Sequence, residues 1–231
     1  MNPWRLVVVI FLSGGLRMLA SAQSIYVDFD IGSGTPQIGA GAPSSGFGGA
    51  AGVPGQWNRL FRDDGGPASF FDVNGAATNV VMTWTGSAGG IGFNNPINTG
   101  DYALLLNDAK AVGSGGLNLT ISGLTPGLYR IFTYAVKPQG EAWTTQITVP
   151  GSAQGIVAVT GPMPGNQLIP GITHSIHDIQ LTGGPLTIQA AENWPGSYVN
   201  GFQILAVPEP TTISVIAFSL AALAARRRRR M

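Results

Sequence analysis

Acidic side chains at two places in this 231-residue chain are spaced so that they could hold a cation. Asp28 and Asp30 stand two apart, so on a strand they would share one face. There, one carboxylate could raise the pKa of the other, or the pair could bind a cation. We expect them to line a solvated strand edge, because no third ligand can be assigned. Asp63 and Asp64 offer oxygen ligands in a Gly-rich turn, where calcium is one interpretation and an ordinary Asx turn is the other. The sequence predicts no other cofactor.

The remaining polar residues that could act in catalysis are scattered along the chain. His174 and His177 are three apart in a stretch that favours a strand, which points them to opposite faces, so we expect no zinc site. The absence of cysteine excludes thiol catalysis and disulfides, and no G-x-S-x-G segment supplies a hydrolase serine. Glu141 and Glu192 could form a glycosidase pair only if the fold placed them about 5–10 Å apart. We assign no catalytic residue and expect a non-enzymatic protein.

Two tryptophans follow polar, turn-forming residues. Trp143 lies in PQGEAWTTQ and Trp194 in AENWPGSY. Either ring could stack on the apolar face of a sugar, beside Glu141 or Asn193, because an aromatic surface with a polar rim is typical of small-ligand sites. Packing in the core or at its rim is the alternative for each ring. Carbohydrate binding is therefore a second hypothesis for the function.

The composition is typical of a turn-rich β protein. The chain has 34 Gly and 16 Pro, and only 10% of its residues are charged. From Gln23 to Ala206 there are five Lys and Arg residues against ten Asp and Glu residues, so this part of the chain is acidic. A nucleic-acid-binding surface needs clustered basic residues, and its absence here excludes that class of partner.

Short apolar or alternating segments recur between turn signals, which predicts an all-β protein with a single antiparallel β-sandwich over residues 23–206. Residues 32–55 are so rich in glycine that we predict a loop. HSIHDIQL also favours a strand. Nine segments are the principal predicted strands: SIYVDF, NVVMTW, DYALLL, LNLTIS, GLYRIFTYAV, WTTQITV, GIVAVT, PLTIQA and NGFQIL.

The N-terminal segment, residues 1–22, follows the pattern of a secretory signal peptide. Arg5 precedes an apolar run, and small residues end in the A-x-A pattern formed by Ala20 and Ala22. We predict cleavage before Gln23 and export through the secretion translocon.

The C-terminal segment, residues 207–231, combines a proline-containing motif, a short apolar run and a basic cluster. The apolar run, residues 213–225, would be about 20 Å long as a helix, against a bilayer core of about 30 Å, so it is a short transmembrane helix at most. The positive-inside rule places the basic cluster in the cytoplasm and the preceding chain outside. The motif consists of Val207, Pro208, Glu209, Pro210 and Thr211, and the basic cluster of Arg226, Arg227, Arg228, Arg229 and Arg230.

Residues 207–231 resemble the PEP-CTERM protein-sorting signal of Gram-negative bacteria that make extracellular polysaccharide. The motif, the order of the three parts and their terminal position all agree with it. The resemblance implies recognition by an exosortase, a membrane cysteine protease-transpeptidase, and removal of the tail. It also implies transient residence in the inner membrane. The final location would then be the cell surface, the outer envelope or an exopolysaccharide-containing biofilm matrix.

A looser resemblance covers patches of the region between the two signals. IYVDFD, LTISGLTPGLYRIFTYA and NWPGSYVNGFQILAVPEP are similar to segments of the β-sandwich ectodomains attached to PEP-CTERM tails, and in layout to galactose-binding-like jelly rolls. The resemblance implies loops at one end of the sandwich that hold sugars or calcium. No binding residue transfers from these strand segments.

Overall fold

A computed structural model describes residues 23–30, 41–60, 65–192 and 196–208. The predicted signal peptide, apolar run and basic cluster lie outside these ranges, and so does the side chain of Glu192. The same holds for several predicted site residues: Asp63, Asp64, Asn193, Trp194, Glu209, Pro210 and Thr211. In the described ranges no helix has the length and hydropathy needed to cross a bilayer.

The described chain is built almost entirely from β-strands, which confirms the predicted fold class. Its helical elements are a 3-10 turn at Gly49–Ala51 and the short helix α1, Asp101–Leu106. The strands in chain order are β1 (Ile25–Phe29), β2 (Trp57–Leu60), β3 (Ala68–Phe71), β4 (Ala77–Thr85), β5 (Ser87–Gly92), β6 (Asp108–Val112), β7 (Leu117–Ser122), β8 (Gly127–Tyr134), β9 (Thr145–Thr148), β10 (Ile156–Val159), β11 (His174–Leu181), β12 (Leu186–Glu192), β13 (Tyr198–Val199) and β14 (Gly201–Val207).

Two larger sheets form the sandwich, and a small third sheet accompanies them. The five-stranded sheet has the order β11-β8-β14-β1-β2 and the six-stranded sheet the order β10-β9-β12-β7-β4-β3. The third sheet has the order β13-β6-β5. Strand pairing is antiparallel except between β1 and β2, which run parallel. One apolar core lies between the layers and includes Val27 and Ile131 of the first sheet and Leu119 and Ile188 of the second.

The prediction for DYALLL was wrong, because this segment is helix α1 rather than a strand. Its leucines and alanine are good helix formers, and Asp101 in the first turn favours the positive end of the helix dipole. The other eight principal segments contain strands, and HSIHDIQL forms β11.

The described part of the Gly-rich segment, residues 41–55, packs on the outer face of the five-stranded sheet. Phe47 stacks on Trp57 with ring centroids 6.0 Å apart. The Ala50 N–H donates to the Tyr134 hydroxyl over 2.6 Å. A Cβ at Gly49, where φ is +53°, would lie 2.5 Å from an oxygen of Gln203. Glycine therefore lets this backbone approach the polar side chains of the sheet closely.

Strand pairing fixes which parts of the chain lie at each end of the five-stranded sheet. At one end, Val207 pairs with Leu128, and the Ala206 N–H donates to Ser24 Oγ over 3.0 Å. We call this the tether end, because the sorting motif follows there. At the other end, Gly201 pairs with both Asp28 and Tyr134. We call it the loop end, because β8 ends there and a long loop follows.

Candidate functional site

Three segments meet at the loop end: residues 93–99, 135–144 and 161–167, which we call the loop cluster. The Asn95 side chain joins the first two, since its Nδ2 donates to the Pro138 carbonyl over 3.2 Å. Asn166 joins the first and third, accepting from the Thr99 N–H over 2.9 Å. The segment 135–144 follows directly from β8, so the buried end of this strand positions it.

Two of the residues predicted to bind sugar come together in this cluster. The Trp143 indole N–H donates to Glu141 Oε2 over 2.9 Å, and the Lys137 ammonium pairs with the same carboxylate oxygen. The Lys137 Nζ also lies 3.9 Å from the centre of the Trp143 ring, within the range of a cation–π contact. The hydrogen bond from Lys137 is the leading cause that holds the pKa of Glu141 below its usual range.

The Trp143 ring is also covered from another side. A Cβ at Gly196, where φ is +122°, would overlap ring atoms Cζ3 and Cε3 of Trp143. Glycine at this position therefore allows the backbone to lie against the indole. The ring is half-buried as a result. Trp143 thus packs at the rim of the fold, which was one of the two interpretations made for it, and sugar stacking on its ring stays a prediction.

Amide side chains form much of the interior of the loop cluster. Asn95 and Asn98 are 7% and 2% exposed, respectively. The Asn98 Nδ2 donates to Asn107 Oδ1 over 2.9 Å and lies 2.8 Å from the sulfur of Met163. By contrast, Phe93 and Ile97 of the same segment are 46% and 50% exposed. The segment thus buries Asn95 and Asn98 and presents two large apolar side chains to solvent.

The prediction that Asp28 and Asp30 line a solvated edge was wrong. Asp28 is fully buried, and Asp30, which follows β1, is 3% exposed. β1 lies between β14 and β2, so it is not an edge strand. Asp108 of β6, 1% exposed, joins them. We call these three residues the acidic centre.

The acidic centre contains oxygens without partners. The Gly41 N–H donates to Asp30 Oδ2 over 2.9 Å, and the guanidinium of Arg59 pairs with the same oxygen. Among the described residues, neither carboxyl oxygen of Asp28 has a hydrogen-bond partner. Burial, followed by the charge of Asp30, raises the pKa of Asp28 well above its usual range. Burial, followed by the charges of Asp28 and Asp30, raises the pKa of Asp108 to about 11. The Asp108 carboxyl group is therefore protonated at neutral pH.

Sequence reasoning missed Asp108 because it lies far from Asp28 and Asp30 along the chain. The one local signal was its position as the first residue of β6, whose sequence is DAKAV. Asn200 ties β6 to the loop end, since its Nδ2 donates to the Asp108 carbonyl over 2.7 Å and its Oδ1 accepts from the Val136 N–H.

The two histidines contact different parts of the fold. His174 lies 3.0 Å from Thr173 Oγ1, whereas His177 contacts the Gly155 carbonyl through Nε2 at 3.1 Å. Burial is the leading cause that lowers both pKa values, that of His174 to about 4. Across the described ranges, no three His, Asp or Glu side chains are arranged so that they could hold a metal ion. Asp63 and Asp64 lie outside those ranges, so calcium there stays a prediction.

Similarities to solved structures are partial. A GH26-CBM35 β-(1,4)-mannanase from Podospora anserina is 16% identical, over 57% of this chain and 28% of that one, with a TM-score of 0.33. An exo-β-1,3-galactanase from Phanerochaete chrysosporium is 13% identical, over 68% of this chain and 35% of that one, with a TM-score of 0.32. This chain therefore corresponds to about a third or less of those proteins. These TM-scores are too low to indicate a function.

No curated protein matches the sequence. The model of the family described as the PEP-CTERM protein-sorting motif matches residues 206–230. This match covers the proline motif, the apolar run and the basic cluster together. Residues 206–230 of the chain therefore carry a PEP-CTERM protein-sorting motif.

Proposed function

We propose that this chain is an exported cell-surface or extracellular-matrix protein with a non-enzymatic structural or interaction role. The observation that carries the proposal is the sorting motif at residues 206–230. In this proposal the predicted signal peptide directs the chain to the secretion translocon. The apolar run then holds it in the inner membrane until an exosortase-type enzyme removes the tail.

The position of the motif in the fold supports processing without unfolding. Val207 makes the last pairing of β14, with Leu128, and Pro208 follows outside the sheet. Proline has no backbone N–H to donate to a neighbouring strand, so it suits a strand end. Cleavage between Pro208 and Thr211 would leave every described pairing of β14 in place.

The intact mass and C-terminal peptides of the protein from its native host test this proposal. A chain that begins at Gln23 and ends between Pro208 and Thr211 is the expected result, and any added mass would identify an attachment. A variant with Pro208, Glu209 and Pro210 all replaced by alanine should keep its tail. Replacement of Asn74, in an exposed turn, by alanine is the matched control and should leave processing unchanged. A wild-type chain still ending at Met231 would overturn the exosortase step.

Carbohydrate binding is the second candidate function, and the loop cluster favours it. Its half-buried indole, buried amides and exposed apolar side chains resemble the mixture found in small-ligand sites. The test is retention on exopolysaccharide after replacement of Trp143 and Trp194 by alanine. Retention equal to that of the wild type would remove this assignment of the two tryptophans.

Calcium at Asp63 and Asp64 is a separate proposal. These residues precede Gly65, in the segment that joins β2 to β3. Bound calcium would stabilise the native state and raise the midpoint of thermal unfolding. A midpoint unchanged by calcium or by a chelator, in the full chain, would exclude the site.

A further inference from the structure

We propose that Phe93 and Ile97 form the platform on which a polysaccharide binds, and that this polysaccharide is neutral. The proposal rests on the second candidate function and assigns new residues to it. Phe93 and Ile97 carry no role in the sequence-based hypothesis, which used Trp143 and Trp194.

The backbone that presents the two apolar side chains is firmly held. The Phe93 N–H donates to the Asn107 carbonyl over 2.8 Å, and the Asn107 side chain donates back to the Asn95 carbonyl over 3.1 Å. Asn95 Oδ1 accepts from the Ile97 N–H over 3.2 Å. Exposed apolar side chains on an ordered backbone lose little conformational freedom when a ligand binds, which favours affinity.

The surroundings of Trp143 make it a positioning residue. The Lys137 ammonium lies over its ring, and Gly196 packs on the ring atoms. A sugar would have to displace one of these neighbours in order to stack there. Phe93 and Ile97 already face solvent, so a sugar can contact them without displacing a neighbouring residue.

The charge of the loop cluster selects the class of polysaccharide. Lys137 and Glu141 are the charged residues of the three segments, and they pair with each other. An anionic polysaccharide would need a cation, and Lys137 already neutralises Glu141. A neutral sugar ring offers apolar C–H groups to an aromatic face and hydroxyl groups to nearby amides.

The platform also lies on the side of the molecule that a membrane tether leaves accessible. Leu128 and Tyr134 of β8 mark the tether end and the loop end, respectively, and the strand between them spans roughly 20 Å. While the tail is in the membrane, the loop cluster therefore lies on the far end of the five-stranded sheet.

Affinity electrophoresis of the full chain in gels with dextran or galactan, against gels with polygalacturonate, tests the proposal. Phe93→Ala and Ile97→Ala should each weaken binding to a neutral polymer by about tenfold, as expected for the loss of one apolar contact, which for Phe93 is a stacking contact. Phe71→Ala is the matched control. Phe71 is 52% exposed on the edge strand β3, and its removal should change binding by less than about twofold. Unchanged thermal midpoints would show that each variant is folded.

The outcomes separate the two proposals. If Trp143→Ala weakens binding and Phe93→Ala and Ile97→Ala do not, carbohydrate binding stands and the platform is wrong. Preference for polygalacturonate would overturn the neutral class. If the wild type is retarded by none of the three polymers, both the platform and the second candidate function fall.

Discussion

The acidic centre and the Lys137–Glu141–Trp143 group both lie toward the loop end. They shift the pKa values of their carboxyl groups in opposite directions. Glu141 is exposed, and its partners Lys137 and Trp143 lower its pKa. Asp108 is buried, and its pKa rises to about 11. In one region a lysine side chain pairs with a carboxylate at the surface, and in the other the fold encloses a carboxyl group, that of Asp108, which keeps its proton at neutral pH.

This difference shows which carboxyl groups lower the free energy of unfolding at neutral pH. A buried carboxyl group that stays protonated at pH 7 costs about 4 kcal/mol, since its ordinary pKa lies roughly three units lower. Partnered charges at the surface contribute about 1 kcal/mol or less. The acidic centre should therefore dominate the pH dependence of stability, and the loop cluster should contribute little to it.

The largest expected effect follows from Asp108→Asn. Asparagine resembles the protonated acid in shape and needs no proton, so the free energy of unfolding at pH 7 should rise by up to about 4 kcal/mol. In the wild type, the raised pKa of Asp108 gives stability that is complete below about pH 4 and is lost as the pH rises toward about 11. Urea unfolding between pH 4 and pH 9 should show this fall, and the variant should show a weaker one.

Asp178→Asn is the matched control for this prediction. Arg130 donates to both oxygens of Asp178 over 2.7 and 2.9 Å, and its hydrogen bonds are the leading cause that lowers the pKa of that carboxyl. The stability from Asp178 is present above its ordinary pKa and is lost as the pH falls. Its removal should lower the unfolding free energy at pH 7 by less than about 1 kcal/mol. If both substitutions changed the free energy of unfolding at pH 7 in the same direction and by the same amount, burial would not distinguish these carboxyl groups.

A smaller effect is expected from Gly196→Ala, next to Trp143 of the loop cluster. The new methyl group would overlap the Trp143 ring, and the positive φ is unfavourable for alanine. Urea unfolding should show a loss of about 1–3 kcal/mol, and the near-ultraviolet circular dichroism of Trp143 should change. Gly184→Ala is the control, since Gly184 has φ +83° and open space around it. It isolates the backbone strain, so a loss equal to that of Gly196→Ala would mean that contact with Trp143 is unimportant.

Local patterns predicted much of the fold. β7 and β8 flank the turn SGLTPG, and both were found from their apolar side chains. β7 alternates in burial, whereas the second half of β8 is buried on both faces. β5 was missed because its sequence, SAGGIG, has little strand propensity and forms a strand by pairing with β6. DYALLL was misassigned because so short a segment of mostly apolar side chains fits a strand or a helix equally.

The candidate site was less predictable, for a physical reason. Trp143 and Glu141 lie two apart, so their contact follows from local sequence. The burial of Asp28 depends on the place of β1 inside a sheet, and its interaction with Asp108 depends on β6, a strand far from β1 in the sequence. Long-range packing decides both features, and no local pattern records it.

The smallest effect on stability should follow from Lys137→Met, which tests the Lys137–Glu141–Trp143 group. Methionine keeps an apolar stem near the Trp143 ring and removes the ammonium that pairs with Glu141. The pKa of Glu141 should rise toward its ordinary value, which NMR titration of its side-chain carbon would measure, while the unfolding free energy changes little. Glu141→Gln removes the same charge pair from the other side and keeps an oxygen that can accept from the indole N–H. If Lys137→Met lowered stability as much as Gly196→Ala, the ammonium would be part of the packing that holds Trp143, and this exposed group would resemble the acidic centre in its importance to the fold.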